Sequence, residues 1–101
     1  MGGFRIEPAG AGRLAASGEL GFGTAAAALA AGLPLIRPGE PCTIDLGGIT
    51  AGDSAGLAVL VEWLSAAQAG GTTLSYERVP PQILAIARIS DLDGLLTAQP
   101  A

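Results

Sequence analysis

Residues Gly52–Gly56 read GDSAG. They match G-x-S-x-G, the pattern in which a sharp strand-to-helix turn presents a serine hydroxyl as a nucleophile. TIDLGGIT precedes the motif and AGLAVLVEWLSAAQ follows it, so a strand and a helix flank it as that chemistry requires. A serine hydroxyl attacks only when a neighbour takes its proton, ordinarily a histidine oriented by a carboxylate. The chain contains no histidine and no lysine, which removes the triad and the Ser-Lys dyad together. Asp53 adjoins Ser54, but a single adjacent carboxylate is not a triad, and no catalytic activity is expected.

The remaining reactive residue types are sparse. The one cysteine, Cys42, cannot close an internal disulfide and reads as a small buried hydrophobe in a strand. With no histidine beside it, Cys-His catalysis and the usual zinc ligand sets are absent. Gly47-Gly48 is followed by no G-K-[ST] and is not a phosphate loop. Asp45 and Asp53 flank one loop without a third acid, and Asp91 and Asp93 read as capping and solubility. Neither a metal nor a cofactor is expected. Asp53-Ser54 has a structural reading beside any chemical one, because both residues satisfy orphan N–H groups at helix N-termini. A hydroxyl in the first turn also lies at the positive end of the helix dipole, where a phosphate would be accepted or a partner could dock.

These residues must be held by a small set of elements. FRIEP alternates apolar and polar residues, AGAG is a turn, and RLAASGEL completes a hairpin. Thr24 is a candidate N-cap for the helix TAAAALAAGLPLI, which Gly32 and Pro34 bring to an end before the loop RPGEP. CTIDL reads as a buried central strand of a parallel pair. The helix after it runs from about Asp53 to Ala69, Gly70-Gly71 stops it, and TTLSYE is the next strand, closing a right-handed crossover. Pro80-Pro81 opens a helix with QILAIARI as its body. Asp91 caps a last turn, LDGLL, and the tail TAQPA frays. The order is β-β-α-β-α-β-α: an α/β fold with a small mixed sheet of about four strands packed against three to four helices.

Along the long helix, Leu57, Leu60, Val61 and Leu64 fall at i, i+3, i+4 and i+7, one buried stripe. On that wheel Val59 and Trp63 point away from the core, beside Ala55, Ala58, Glu62 and Ala66. Two readings of Trp63 stand: an interface anchor in an exposed apolar patch, or a ring packed under a loop or a neighbouring helix. An exposed Val59/Trp63 patch would also support weak self-association.

Composition bounds the partners. The 101 residues suit a single domain, 1–101. Half are hydrophobic and only four aromatic, so Leu, Ile, Val and Ala build the core. Nine acids against five arginines give a net charge of −4. Arg5, Arg13, Arg37, Arg78 and Arg88 are scattered, so neither nucleic acid nor an anionic membrane surface is an expected partner. MGGFRIEPAG has no apolar core of a signal peptide. The tract AAAALAAGLPLI falls well short of the ~20 residues of a membrane span. Ile6 stands where myristoylation of Gly2 would need Ser or Thr. A soluble cytoplasmic protein is the expectation.

From TIDLGGIT to LDGLL the chain resembles a STAS domain, the fold of bacterial anti-sigma-factor antagonists. The resemblance rests on a strand ending D-L-x-x-[IV], then D-S-[AS]-G-L at a helix start, a Gly-containing turn, a strand, and a V-P-x-x-[IL] helix. SGELGFGTAAAALAAGL is similar to that family's second strand and first helix. Among STAS domains it looks most like the MlaB group, small cytoplasmic subunits of ABC transporters that move phospholipids and maintain outer-membrane lipid asymmetry. The short length, S-G-E-L and E-W-L-x-x-A carry that similarity. It implies no catalysis. It implies docking onto an ABC ATPase subunit (MlaF-like) within an inner-membrane complex that includes a permease, and so a peripheral location at the inner face of that membrane. The start of the D-S-A-G-L helix, Asp53, Ser54, Ala55 and Gly56, would lie in the interface, with Ser54 at the family's key hydroxyl position; Val59, Glu62 and Trp63 complete the expected contact set. The alternative is an anti-sigma-factor antagonist switched by serine phosphorylation. Its phosphorylated serine usually follows the D-S pair, where this chain has Ala55. Gly47-Gly48 is a second departure, expected to cost some loop rigidity.

Overall fold

The chain pairs its strands in the order in which it makes them. The computed structural model describes residues 3–97; Gly2 and residues 98–101 of the tail, read above as an unmodified site and a frayed end, lie outside the described residues. Strand β1 (Phe4–Pro8) turns through Gly10 and Gly12, both at positive φ, into antiparallel β2 (Arg13–Leu20). Helix α1 (Ala25–Gly32) and one 3-10 turn (Leu33–Leu35) lead to β3 (Cys42–Gly52), parallel to β2. Helix α2 (Ser54–Ala69) crosses to β4 (Leu74–Glu77), parallel to β3, and α3 (Pro81–Ile89) and α4 (Asp93–Thr97) close the fold. The sheet order is β1-β2-β3-β4. This is the mixed four-stranded α/β architecture that the sequence leads one to expect.

The helices cover one face of the sheet. Leu14, Ala16 and Leu20 of β2, Ile44, Leu46 and Ile49 of β3, and Tyr76 of β4 point into the core. Their sequence neighbours Ala15, Ser17, Thr43, Asp45, Ser75 and Glu77 are half-buried or exposed on the other face. CTIDL is central, as expected, but buried on one side only, although parallel strands are usually covered on both. Two ion pairs cross the open face: Arg13 to Glu77 at 2.5 Å, and Arg78 to Asp45.

β3 is longer than CTIDL. Only Cys42–Asp45 pair with β4, and the rest continues along β2 through two register breaks. Gly47-Gly48, read as loop, therefore lies inside a strand; Asp45 is itself a residue of that strand and Asp53 follows its last residue, so no loop separates the two acids. Gly48 is needed there for proximity, whereas Gly47 faces only the movable end of the Arg78 side chain. A Cβ on Gly48 would stand 2.9 Å from the Ala16 carbonyl oxygen and from the Ser17 Cβ, and one on Gly47 would overlap the Arg78 guanidinium.

Helix α2 is turned about its axis relative to the sequence reading. Its buried residues are Gly56, Leu57, Val59, Leu60, Trp63 and Ala67. Val61 and Leu64, assigned to the core stripe, are only half-buried, and Val59 and Trp63, assigned to an exposed patch, are inside. Trp63 is fully buried, packed from α2 against α1 and β1. A Cβ on Gly32 would sit 2.5 Å from its Cε2, and the Phe4 ring lies 6.1 Å away, centroid to centroid, tilted by 45°. The patch on which self-association was expected is therefore not at the surface.

Two caps also differ. Thr24 holds the N-cap position of α1 and its carbonyl accepts from Ala28 N at 2.8 Å, but its side chain does not cap the helix; the hydroxyl accepts from Gly21 N at 3.0 Å and donates to Glu19 O at 2.9 Å. Asp91 does not begin the last helix but ends α3. It has φ of 60°, its N–H bonds to Arg88 O, and Leu92 N–H bonds to Ala87 O at 2.7 Å. That is a Schellman stop with aspartate where glycine is usual.

Candidate functional site

The carboxyl end of β3 delivers Asp53 to the start of α2, so the strand–turn–helix context of GDSAG is real. Asp53 is the N-cap: its Oδ1 accepts from Ala55 N at 2.8 Å and from Gly56 N at 3.2 Å. Its Oδ2 accepts from Phe22 N at 3.0 Å, in the loop between β2 and α1. The Phe22 N–H and the two helix N–H groups favour the ionised form and hold the carboxyl below the usual carboxylate range. All three bonds come from backbone N–H groups and none from the Ser54 hydroxyl, so Asp53 is engaged as a cap rather than as a base for it.

Ser54 is the first residue of α2 and is exposed, and its hydroxyl makes no hydrogen bond among the described residues. Ala55 is half-buried and Gly56 buried. Gly56 is required by packing: any Cβ there would run into the Leu20 carbonyl, because the first turn of α2 lies directly on the end of β2. The D-S-A-G sequence thus resolves into a cap, an exposed hydroxyl, a small residue and a close approach. Of the other expected contact residues, Glu62 is exposed, two turns along α2, while Val59 and Trp63 lie in the core.

Sequence reasoning missed Phe22. It is 88% exposed, and among the described residues only Ile89, at 87%, is a comparably exposed large hydrophobic. Phe22 borders a shallow depression of about 190 Å³ that Glu19, Thr24, Gly52 and Asp53 also line. A lone phenylalanine between two glycines in G-F-G was its only sequence signal.

Elsewhere several titratable groups are paired or buried. The Asp45 carboxyl is lowered by the Arg78 guanidinium and then by the Gly47 N–H, and the Glu77 carboxyl by Arg13. Burial pushes the Cys42 thiol up, away from the reactive thiolate. Burial also raises the Tyr76 phenol, which stays protonated and donates to Leu60 O at 2.6 Å. Among the described residues no three His, Cys, Asp or Glu side chains come together as a metal site, and no helix is long and apolar enough to cross a membrane.

The family model described as "MlaB, STAS domain" matches residues 5–97. A similar solved structure is that of murine Slc26a9, an anion transporter of solute carrier family 26 in its inward-facing state. It aligns with 14% identity and a TM-score of 0.59, over 84% of this chain and 14% of the transporter chain. The chain thus spans about one-seventh of that protein, and the likeness is one of fold. No curated protein sequence matches this chain. With the family matched over residues 5–97, the chain belongs to the MlaB-type STAS domains.

Proposed function

We propose that this MlaB-type STAS domain is a non-catalytic subunit. It docks on the ATPase of a phospholipid-transporting ABC complex at the inner face of the inner membrane and regulates or stabilises that ATPase. The observation that carries the reading is Ser54: an exposed, unengaged hydroxyl on the first turn of α2, fixed in place by a cap that uses other atoms. A contact residue needs this combination of rigidity and access. The mechanism is differential binding. A subunit that binds the assembly-competent state of an ATPase more tightly than other states shifts its population by that difference and no more.

A phospho-switch at the same position is less well supported. The Ala55 and Gly56 N–H groups that would receive a phosphate already bond to Asp53, and the phosphate would stand beside that carboxylate. The test is titration calorimetry of the chain against its cognate MlaF-type ATPase. Ser54→Arg should weaken binding at least tenfold with an unchanged melting temperature, because the side chain projects into solvent in the free protein. Equal affinity of the two proteins would remove Ser54 from the interface.

A further inference from the structure

We propose that Phe22 is the anchor of this docking surface and inserts into an apolar pocket with a basic rim on the ATPase. The inference rests on the docking reading above and adds a residue that the family's D-S-A-G-L signature does not contain.

Three observations support it. First, Phe22 is 88% exposed, a large apolar area that the fold itself leaves without a partner. Second, the residue is rigidly held. Its N–H is fixed to Asp53 Oδ2, and a Cβ on the preceding Gly21 would come 2.8 Å from that same oxygen. The Thr24 hydroxyl ties the loop to Glu19 and Gly21. One carboxylate therefore fixes the backbone that carries the ring and caps the helix that carries Ser54, so the two residues are presented on one tied framework. An aromatic on a rigid support loses little conformational entropy on binding and is a favoured hot spot.

Third, the surroundings specify the charge of the partner. Glu19 and Asp53 line the depression beside Phe22, Glu62 is exposed further along α2, and residues 38–77, which supply β3, α2 and β4, contain no basic residue. Arg78, the next in sequence, is paired with Asp45 on the open face of the sheet. A complementary surface is apolar at its centre and carries Arg or Lys at its edge. A second copy of this chain, with the same acidic rim, would be repelled.

The test uses the full chain and its purified cognate ATPase, with Phe22→Ala, Phe22→Leu, Glu62→Lys and Ser54→Arg side by side. Phe22→Ala should weaken binding about 30-fold, Phe22→Leu should lie between it and wild type, and Glu62→Lys should slow association several-fold. The melting temperature should not move in any of the Phe22 variants. Wild-type affinity in Phe22→Ala together with loss in Ser54→Arg would overturn the anchor and leave the docking reading standing. No binding by the wild-type chain would overturn both. A wild-type dimer in sedimentation that Phe22→Ala converts to monomer, with ATPase affinity unchanged, would assign Phe22 to self-contact and overturn the proposal.

Discussion

Asp53 closes the first turn of α2 and the loop before α1 with a single carboxylate, which makes its protonation a structural event. Its folded pKa lies below that of the unfolded chain, so its contribution is present above the ordinary carboxylate range and is lost as pH falls through the folded value. Asp45 and Glu77 are lowered by their arginines and titrate in the same direction. Comparison with Asp53→Asn, which keeps an acceptor but no charge, isolates the cap. The melting temperature of wild type should fall more steeply below about pH 4 than that of the variant, and parallel curves would count against this role. Gly56 and Trp63 act at the same scale. Gly56→Ala drives a Cβ into the Leu20 carbonyl and should cost about 3 kcal/mol in thermal or denaturant unfolding, since backbone yields less than a side chain. Trp63→Ala should cost about 3–5 kcal/mol and leave ATPase affinity intact at temperatures where the variant is folded. Of the two readings of Trp63 that the sequence left open, the ring packed against a neighbouring helix is the one observed, and the interface anchor is not. The Trp63 indole N–H finds no acceptor among the described residues, so Trp63→Phe should cost far less than Trp63→Ala.

The elements were legible where local chemistry dictates them. FRIEP and RLAASGEL are strands to the residue, and α2 begins one residue after its Asp53 cap and ends at Ala69, as the glycines after it require. The rotational setting of α2 was not legible, and the reason is physical. The hydrophobic stripe weighs large side chains, whereas Gly56 and Ala67 lie at the centre of the buried face. Contact between Gly56 and the Leu20 backbone turns the helix, brings Trp63 inward under Gly32, and leaves Val61 and Leu64 at the margin. No periodicity reports a close approach made by the absence of a side chain. The end of α3 was misread for a similar reason: Asp91 resembles a cap by type, but its left-handed backbone makes it a stop. Asp91→Gly relieves that conformation and should raise stability by about 0.5–1 kcal/mol, measured by chemical unfolding.

For the whole molecule, topology decides where function can sit. With one face of the sheet under helices and the other crossed by paired charges, exposed Phe22 and Ser54 meet where β2 and β3 end and α2 begins, while Ile89 stands exposed at the far end of α3. The exposure of Ser54 was legible from its place after Asp53, and that of Glu62 from the helix wheel. Phe22 was not, because its value lies in a hydrogen bond to a residue 31 positions away. Membership of the MlaB-type STAS family, with Ser54 and Phe22 exposed at one end of the sheet, is what the proposed docking role rests on.

The central claim is tested most directly by affinity capture of the tagged chain from detergent-solubilised native cells, beside a Ser54→Arg control, read by mass spectrometry. The account predicts an ABC ATPase and its permease with wild type and their loss with the control. Recovery of an anti-sigma-type serine kinase in their place, or of the same ATPase in equal amount with Ser54→Arg, would contradict it.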